Sequence, residues 1–382
     1  MFTLKSSFTE IDKSKWLHIQ SPDFPFTDLD FLLALENSAC LGQRTGWHPI
    51  ICLEEDTKKN LYEGAFICFV KSNSYGEYIF DWEWAHAFES HGVPYYPKIT
   101  AAIPFTPATG PKFLFPPTLA QDRREAFMMS VLAFLAKQKV SSIHHLFIDS
   151  AESTFWQRNS YATRSSFQYH WKNQDYKTFD DFLSMLQGKR RRQIKKERLG
   201  VQSQNVNVRQ AVDSELTPNL AQQIFDLYYR TIDKKRGIPY LTEEFFVQCF
   251  ANLKHRIVLF LAEQDGEIVG MSFSFTKGNK LFGRYWGCSK PIEFLHFELC
   301  YYSLIEYSIG KGISLFEAGA QGAHKVQRGF NPVETKSAHY INHAGFRTAI
   351  QSFIEEEKRL ITKELESYSS HLAYKKNQAK TP

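Results

Sequence analysis

The sequence predicts an α+β protein built from two similar domains in tandem. A meander carries one part of that prediction: RIVLFLAEQ (256–264), IVGMSFSFT (268–276) and LFGRYWG (281–287) are joined by Asp-Gly-Glu and Lys-Gly-Asn-Lys turns. A recurrence carries the other. FMMSVLAFLAKQKVSSIHHLFIDS (127–150) and LCYYSLIEYSIGKGISLFEAGA (299–320) both read as helix, short turn and apolar strand. Each strand ends on an acid, Asp149 or Glu317. A length of 382 residues accommodates two or three domains of roughly 100–200 residues.

The elements follow in order. TDLDFLLALENS (27–38) reads as a helix capped by Thr27 or Asp28. WHPIICLEE (47–55) and EGAFICFVKS (63–72) flank a polar turn and predict an antiparallel hairpin. Residues 81–93 suit a short helix. ITAAIPF (99–105) reads as a strand, and Pro104, which has no N–H to donate, places it at a sheet edge or beside a split. Residues 122–140 form an amphipathic helix, 143–149 a buried strand, 151–159 a short helix and 165–172 a strand. Residues 179–199 read as one helix, acidic at its start and basic at its end, as the macrodipole favours. A strand (206–211) and two helices (220–235, and 242–253 with Thr242 as N-cap) precede the meander. After it come a helix (294–309), a strand (313–319), a short helix (323–328) and a strand (336–341). A long helix (346–373) closes the chain, with Ile350, Phe353, Ile354, Leu360, Ile361 and Leu365 on one side and a disordered tail beyond. The expected domains are 1–178 and 201–382, joined by a basic helix over 179–200.

Composition narrows the function classes. The formal charge of +5 is concentrated in GKRRRQIKKER (188–198), where seven basic residues face one acid, so the rest is close to neutral. The segment suits a solvated linker helix, a clamp for an anionic substrate, or a nucleic-acid contact. Aromatic residues make up 15% of the chain, which excludes general disorder. The six cysteines form no C-x-x-C pair and read as buried thiols, not as a disulfide framework or a zinc site. The N-terminal segment lacks an apolar core and no run reaches the ~18–20 apolar residues of a membrane span, so a cytoplasmic protein without a membrane span is expected.

Several residues are candidates for chemistry. GAQGAHKVQRGF (319–330) follows a buried strand. Gly319, Ala320 and Gly322 leave the backbone open to close approach, Lys325 and Arg328 add positive charge, and Gln321 is expected among the substrate-binding residues. That combination suits a phosphate or carboxylate, and His324 can move a proton near neutral pH. The alternative is a glycine-rich turn with an ordinary basic helix. Glu298 lies in the apolar stretch FLHFELCYYSLI, where a raised pKa would suit a general base acting on an amine. Glu317 has a similar case, with Lys325 or Arg328 as partner. Both glutamates have a structural alternative, a solvated or ion-paired role. In DWEWAHAFESHG, Trp82, Glu83 and His86 suit a substrate-facing patch, with a plain structural role as the alternative, and Tyr95 and Tyr96 in PYYP would make a stiff cleft wall. Glu83, His86 and Glu89 have a spacing that admits a metal, but none is assigned.

Two long stretches resemble a known family. EYIFDWEWAHAFESHGVPYYPKITAAIPFTPATGPKFL (77–114) and FEAGAQGAHKVQRGFNPVETKSAH (316–339) are similar to the signatures of FemAB-like proteins of the GNAT superfamily, labelled peptidoglycan biosynthesis or recognition proteins. The resemblance implies two tandem GNAT-like domains with mixed, mostly antiparallel sheets flanked by helices. It also implies a sheet that splays beside the central strand, where ITAAIPFTPATG would fit. The implied activity is acyl or aminoacyl transfer to an amine by direct attack, with Glu298, Glu317 or His324 taking the proton. An acyl-CoA or an aminoacyl-tRNA is the implied donor, a cell-wall precursor the implied acceptor, and 188–198 a contact for tRNA. The helical arm of Fem ligases is absent. So is the Q/R-x-x-G-x-G/A acetyl-CoA fingerprint, where ATGPKFLF (108–115) and CSKPIEFLHF (288–297) stand instead. The alternative is a non-catalytic module of the same fold that binds a cell-wall fragment, an anionic metabolite or nucleic acid.

Overall fold

The computed structural model describes residues 2–234, 236–319, 322–369 and 372–375. It forms two compact units. Unit 1 comprises Met1–Ser21, Phe26–Ser166 and Thr335–Ile361; unit 2 comprises Pro22–Pro25, Phe167–Glu334 and Thr362–Pro382.

In unit 1, strand β1 (Thr3–Lys5) lies on the hairpin β2 (Trp47–Asp56) and β3 (Leu61–Lys71), and β3 continues antiparallel into β4 (Lys98–Ala101). The short β5 (Phe113–Leu114) also pairs with β3. A helix, Gln121–Leu135, returns the chain to β6 (Ser142–Ile148), which runs parallel to β4 with Ile99 opposite Ile143. Phe127, Val131 and Leu135 project from that helix, one turn apart, into a core with Phe66, Ile99, Ile143 and Trp156.

β4 is not an edge strand, because β3 and β6 flank it on both sides. It ends at Ala101, three residues before Pro104, so the proline takes nothing from the ladder. The split is present: past Ala101 the chain leaves β6. The space beside β6 is then filled by the protein itself. Ile103, Phe105, Thr106 and Ala108 are buried, and Gly110 N–H donates to Phe147 O at 3.2 Å.

Unit 2 repeats this plan. β9 (Ile257–Gln264), β10 (Glu267–Lys277) and β11 (Lys280–Cys288) form the meander, and β8 (Asn207–Gln210) pairs with β9. A helical segment from Leu295 to Gly310 leads to β12 (Leu315–Glu317), parallel to β11. A π turn, Glu298–Tyr302, interrupts that helix.

The final strand of each unit comes from the other half of the sequence. β7 (Ala162–Lys172) places Phe167–Lys172 in unit 2, where His170–Lys172 pair antiparallel with β12. β13 (Asn331–Ile341) places Thr335–Ile341 in unit 1, antiparallel to β6. The units are therefore not the consecutive stretches 1–178 and 201–382.

Residues 179–199 form two helices instead of one. Phe179–Met185 starts with a Thr178–Asp181 capping box. Leu186 and Gln187 are extended, and a second helix runs Gly188–Gln202. Gln187 N–H donates to Ala373 O at 2.8 Å, and its side-chain amide reaches Leu372 O and Tyr374 O. These contacts hold the backbone out of the helix. Lys189 to Arg192 consequently sit in the first turn of their own helix, the end where the macrodipole disfavours cations. In the long helix Ala344–Ser369, Ile350 and Ile354 are buried, whereas Phe353 and Leu360 are exposed. The remaining elements match their expected types.

Candidate functional site

β11 and β12 stay paired for only three residues, Lys280–Phe282 against Leu315–Glu317. Beyond them β11 runs on to Cys288 without that partner, and the strands part. A cavity of about 450 Å³ opens there, lined by Ser274, Arg284, Trp286, Tyr301, His324 and Lys325 among others. The corresponding gap in unit 1 is filled by residues 103–110. The open cleft is thus a feature of unit 2.

Three side chains give this cleft its chemistry. His324 Nε2 lies 2.9 Å from the Tyr301 hydroxyl. Burial, then the charges of Arg328 and Lys325, hold the His324 pKa below the usual histidine value, so the ring is neutral at neutral pH. Lys325 is buried, and its Nζ donates to Ala318 O at 2.7 Å and Gly319 O at 3.3 Å. Burial lowers its pKa to about 8. The turn before His324 requires glycine. Gly322 has φ 103°, and a Cβ there would lie 2.5 Å from the His324 ring. Gly319 also has a positive φ. Gln321 lies outside the described residues.

Arg328 does not face a ligand. Its side chain is buried and donates to Glu197 at 2.7 and 3.1 Å, to the Tyr302 hydroxyl at 2.9 Å and to His324 O at 2.9 Å. It also stacks on Phe297, 3.5 Å from the ring centre. The expectation that Arg328 would serve an anion, or pair with Glu317, is corrected by this arrangement. A buried guanidinium needs a carboxylate, and Glu197 meets it in bidentate fashion. The Tyr302 hydroxyl donates to the same carboxylate.

The two candidate glutamates have neighbours of their own. Glu298 starts the π turn, is buried, and accepts from Arg198 at 3.0–3.1 Å and from Ser303 at 3.1 Å. Burial raises its pKa, and Arg198 opposes the rise. It lines a different pocket, of about 380 Å³, together with Arg198 and Glu306. Glu317 is buried on β12, with its carboxylate 3.9 Å from His170 Nε2.

The first signature folds into unit 1 in two layers. Trp82, Glu83 and His86 are exposed on the helix Trp82–Ser90. Among the described residues no group of three or more His, Cys, Asp or Glu is placed to hold a metal, so Glu83, His86 and Glu89 make no such site. Tyr95 and Tyr96 belong to a buried network instead. Lys98 Nζ donates to Asp81 at 2.5 Å and to Glu77 and Ser74 at 2.8 Å. The Tyr95 hydroxyl donates to Asp81 at 2.5 Å, and Tyr96 pairs with Ser74 at 2.9 Å. His144 and His339 meet through their Nδ1 atoms at 2.6 Å. Burial raises the Glu77 pKa to about 7, whereas Lys98, against the effect of burial, holds the Asp81 carboxyl well below its usual range. Lys98 and Tyr301 are not among the residues that the sequence singles out. Lysine inside the apolar run PKITAAI was the available signal for the first.

Comparison with known proteins places these observations. A FemAB-like family model, described as peptidoglycan biosynthesis/recognition, matches residues 7–376. Among solved structures, FemX is 12% identical with a TM-score of 0.52, covering 84% of this chain and 93% of that one. The C-terminal domain of a putative lysylphosphatidylglycerol synthetase from Agrobacterium fabrum is 8% identical with a TM-score of 0.56, covering 90% and 96%. What is shared with both is the α+β fold, mixed sheets flanked by helices. No curated protein sequence matches. Among the described residues, no helix is long and apolar enough to cross a membrane.

Proposed function

The chain belongs to the FemAB-like family, and on that premise we propose that it transfers an acyl or aminoacyl group to an amine in the cleft of unit 2. The observation that carries this reading is the parting of β11 and β12 beside the Tyr301–His324 pair. The amine lone pair attacks the donor carbonyl and forms the new C–N bond. Neutral His324 takes the proton that the amine sheds, with Tyr301 fixing the ring. The developing oxyanion meets backbone N–H groups on the free edge of β11, while the Lys325 ammonium adds positive charge. Collapse breaks the ester C–O or thioester C–S bond, and His324 returns the proton to the leaving group. Glu298 and Glu317 take positioning roles, and Gly319 and Gly322 shape the turn.

The donor is an aminoacyl-tRNA or an acyl-CoA, and the acceptor an amine of a cell-wall precursor. The exposed cations of the helix Gly188–Gln202 form a contact for tRNA. A cytoplasmic setting agrees with six unpaired cysteines. Calorimetric titration with aminoacyl-tRNA and with acyl-CoAs, followed by a transfer assay, tests the reading. Donor binding without transfer to any amine would favour the non-catalytic module.

A further inference from the structure

Unit 1 carries a small pocket with a distinct character. Among the described residues, twelve large apolar side chains are exposed, and four of them, Tyr75, Phe80, Trp82 and Phe353, gather here. Such a concentration marks a binding surface more often than chance. Phe80 and Trp82 stack at 6.0 Å with planes 18° apart, and Tyr75 meets Trp82 edge-on at 5.1 Å. The pocket between Phe80, Trp82 and Phe353 holds about 190 Å³. That is room for roughly six waters, the size of a small head group and too little for a nucleotide.

The polar groups of the wall are unevenly committed. Arg164 is the pocket's cation, and it is already engaged: it donates to both oxygens of Glu357 at 2.6 and 2.7 Å and to Phe80 O at 2.7 Å. Asp81 Oδ2 is taken by Lys98 and Tyr95, but Asp81 Oδ1 is buried without a hydrogen-bond donor. Glu83 is exposed and enters no ion pair among the described residues. The uncommitted groups are therefore acceptors, and the surrounding surface is aromatic. This pairing suits a donor that carries positive charge, because ring faces and carboxylates both attract a cation. It opposes a phosphate or another anion.

We propose that this pocket binds an organic ammonium group, held by the faces of Phe80, Trp82 and Phe353 and by the carboxylates of Asp81 and Glu83. The ligand stays charged, so it is not the amine that reacts. The proposal does not depend on the transfer reading for unit 2.

Calorimetric titration of the full chain tests it, with choline and butylammonium as probes. The neutral isostere 3,3-dimethylbutan-1-ol and methyl glucoside serve as controls. Both cations are expected to bind at millimolar concentration, and the neutral compounds about tenfold more weakly. A preference for choline points to a quaternary source such as a lipid head group, and a preference for butylammonium to a peptide amine. Trp82→Leu should weaken cation binding about tenfold, and Glu83→Gln several-fold. Both side chains are exposed, so the melting temperature should hold. Equal or tighter binding of the neutral alcohol or the glucoside would overturn the proposal. So would the lack of saturable binding by either cation, or cation binding that Trp82→Leu leaves unchanged.

Discussion

The Tyr301 hydroxyl lies 2.9 Å from His324 Nε2, joining a π turn to the glycine turn that follows β12. In the transfer reading, that contact positions the base. Tyr301→Phe should lower kcat about tenfold with little change in KM, while His324→Gln should cost 10²–10⁴-fold, typical of a lost acid–base group. Steady-state kinetics on the transfer reaction check both.

The pH profile follows from the same residue. Burial and neighbouring positive charge favour neutral His324, so its protonation moves to the acid side of 6.5. The acid limb of kcat/KM should lie below pH 6.5 and disappear in His324→Gln. A limb centred above 6.5 would point to another base.

Arg328 and Glu197 form a buried pair, each about 5% exposed. Arg328→Ala leaves a buried carboxylate without its cation and should destabilise the protein by about 3–5 kcal/mol. The double variant Arg328→Met with Glu197→Leu should recover much of that loss. Urea denaturation of the set measures both effects.

How far these contacts were legible from sequence depends on the distance they span. The hairpin, the meander and the Thr242 cap rest on neighbours a few residues apart, and the structure reproduces them. Arg328 looked like an exposed cation in HKVQRGF because its partner lies 131 residues away. The break at Gln187 depends on Ala373 and was equally hidden. The exchange of β7 and β13 left no local trace. Both stretches alternate as strands, and alternation does not say which neighbour a strand will meet.

Lys325 gives stability a defined pH dependence. Its pKa falls from 10.5 to about 8 on folding, chiefly through burial. Between pH 8 and 10.5 the unfolded chain holds a proton on this group that the folded chain has released, so the Lys325 contribution to stability rises with pH across that window. Lys71, lowered to about 7 by burial, acts in the same direction. The thiols of Cys52, Cys68 and Cys300, raised by burial, act the other way, so Lys325→Met should lower the change in stability between pH 8 and pH 10 relative to the native chain, as urea midpoints of the two proteins would reveal.

The helix Gly188–Gln202 exposes Arg192, Lys195 and Lys196, and Lys195 lies 3.5 Å from Asp180. If tRNA is the donor, replacing all three with alanine should weaken binding. It should also flatten the log K against log salt plot by about two to three units. An unchanged slope would remove the helix from the tRNA contact.

In the proposed reaction, unit 2 performs the transfer with His324 as base. Its most direct test is a single-turnover assay with saturating aminoacyl-tRNA or acyl-CoA and an amine acceptor, comparing the native chain with His324→Gln. Amide formation is expected from the native chain, and a rate at least about 10²-fold lower from the variant with donor affinity retained. Equal rates in the two proteins, or bound donor with no amide formed, would contradict it.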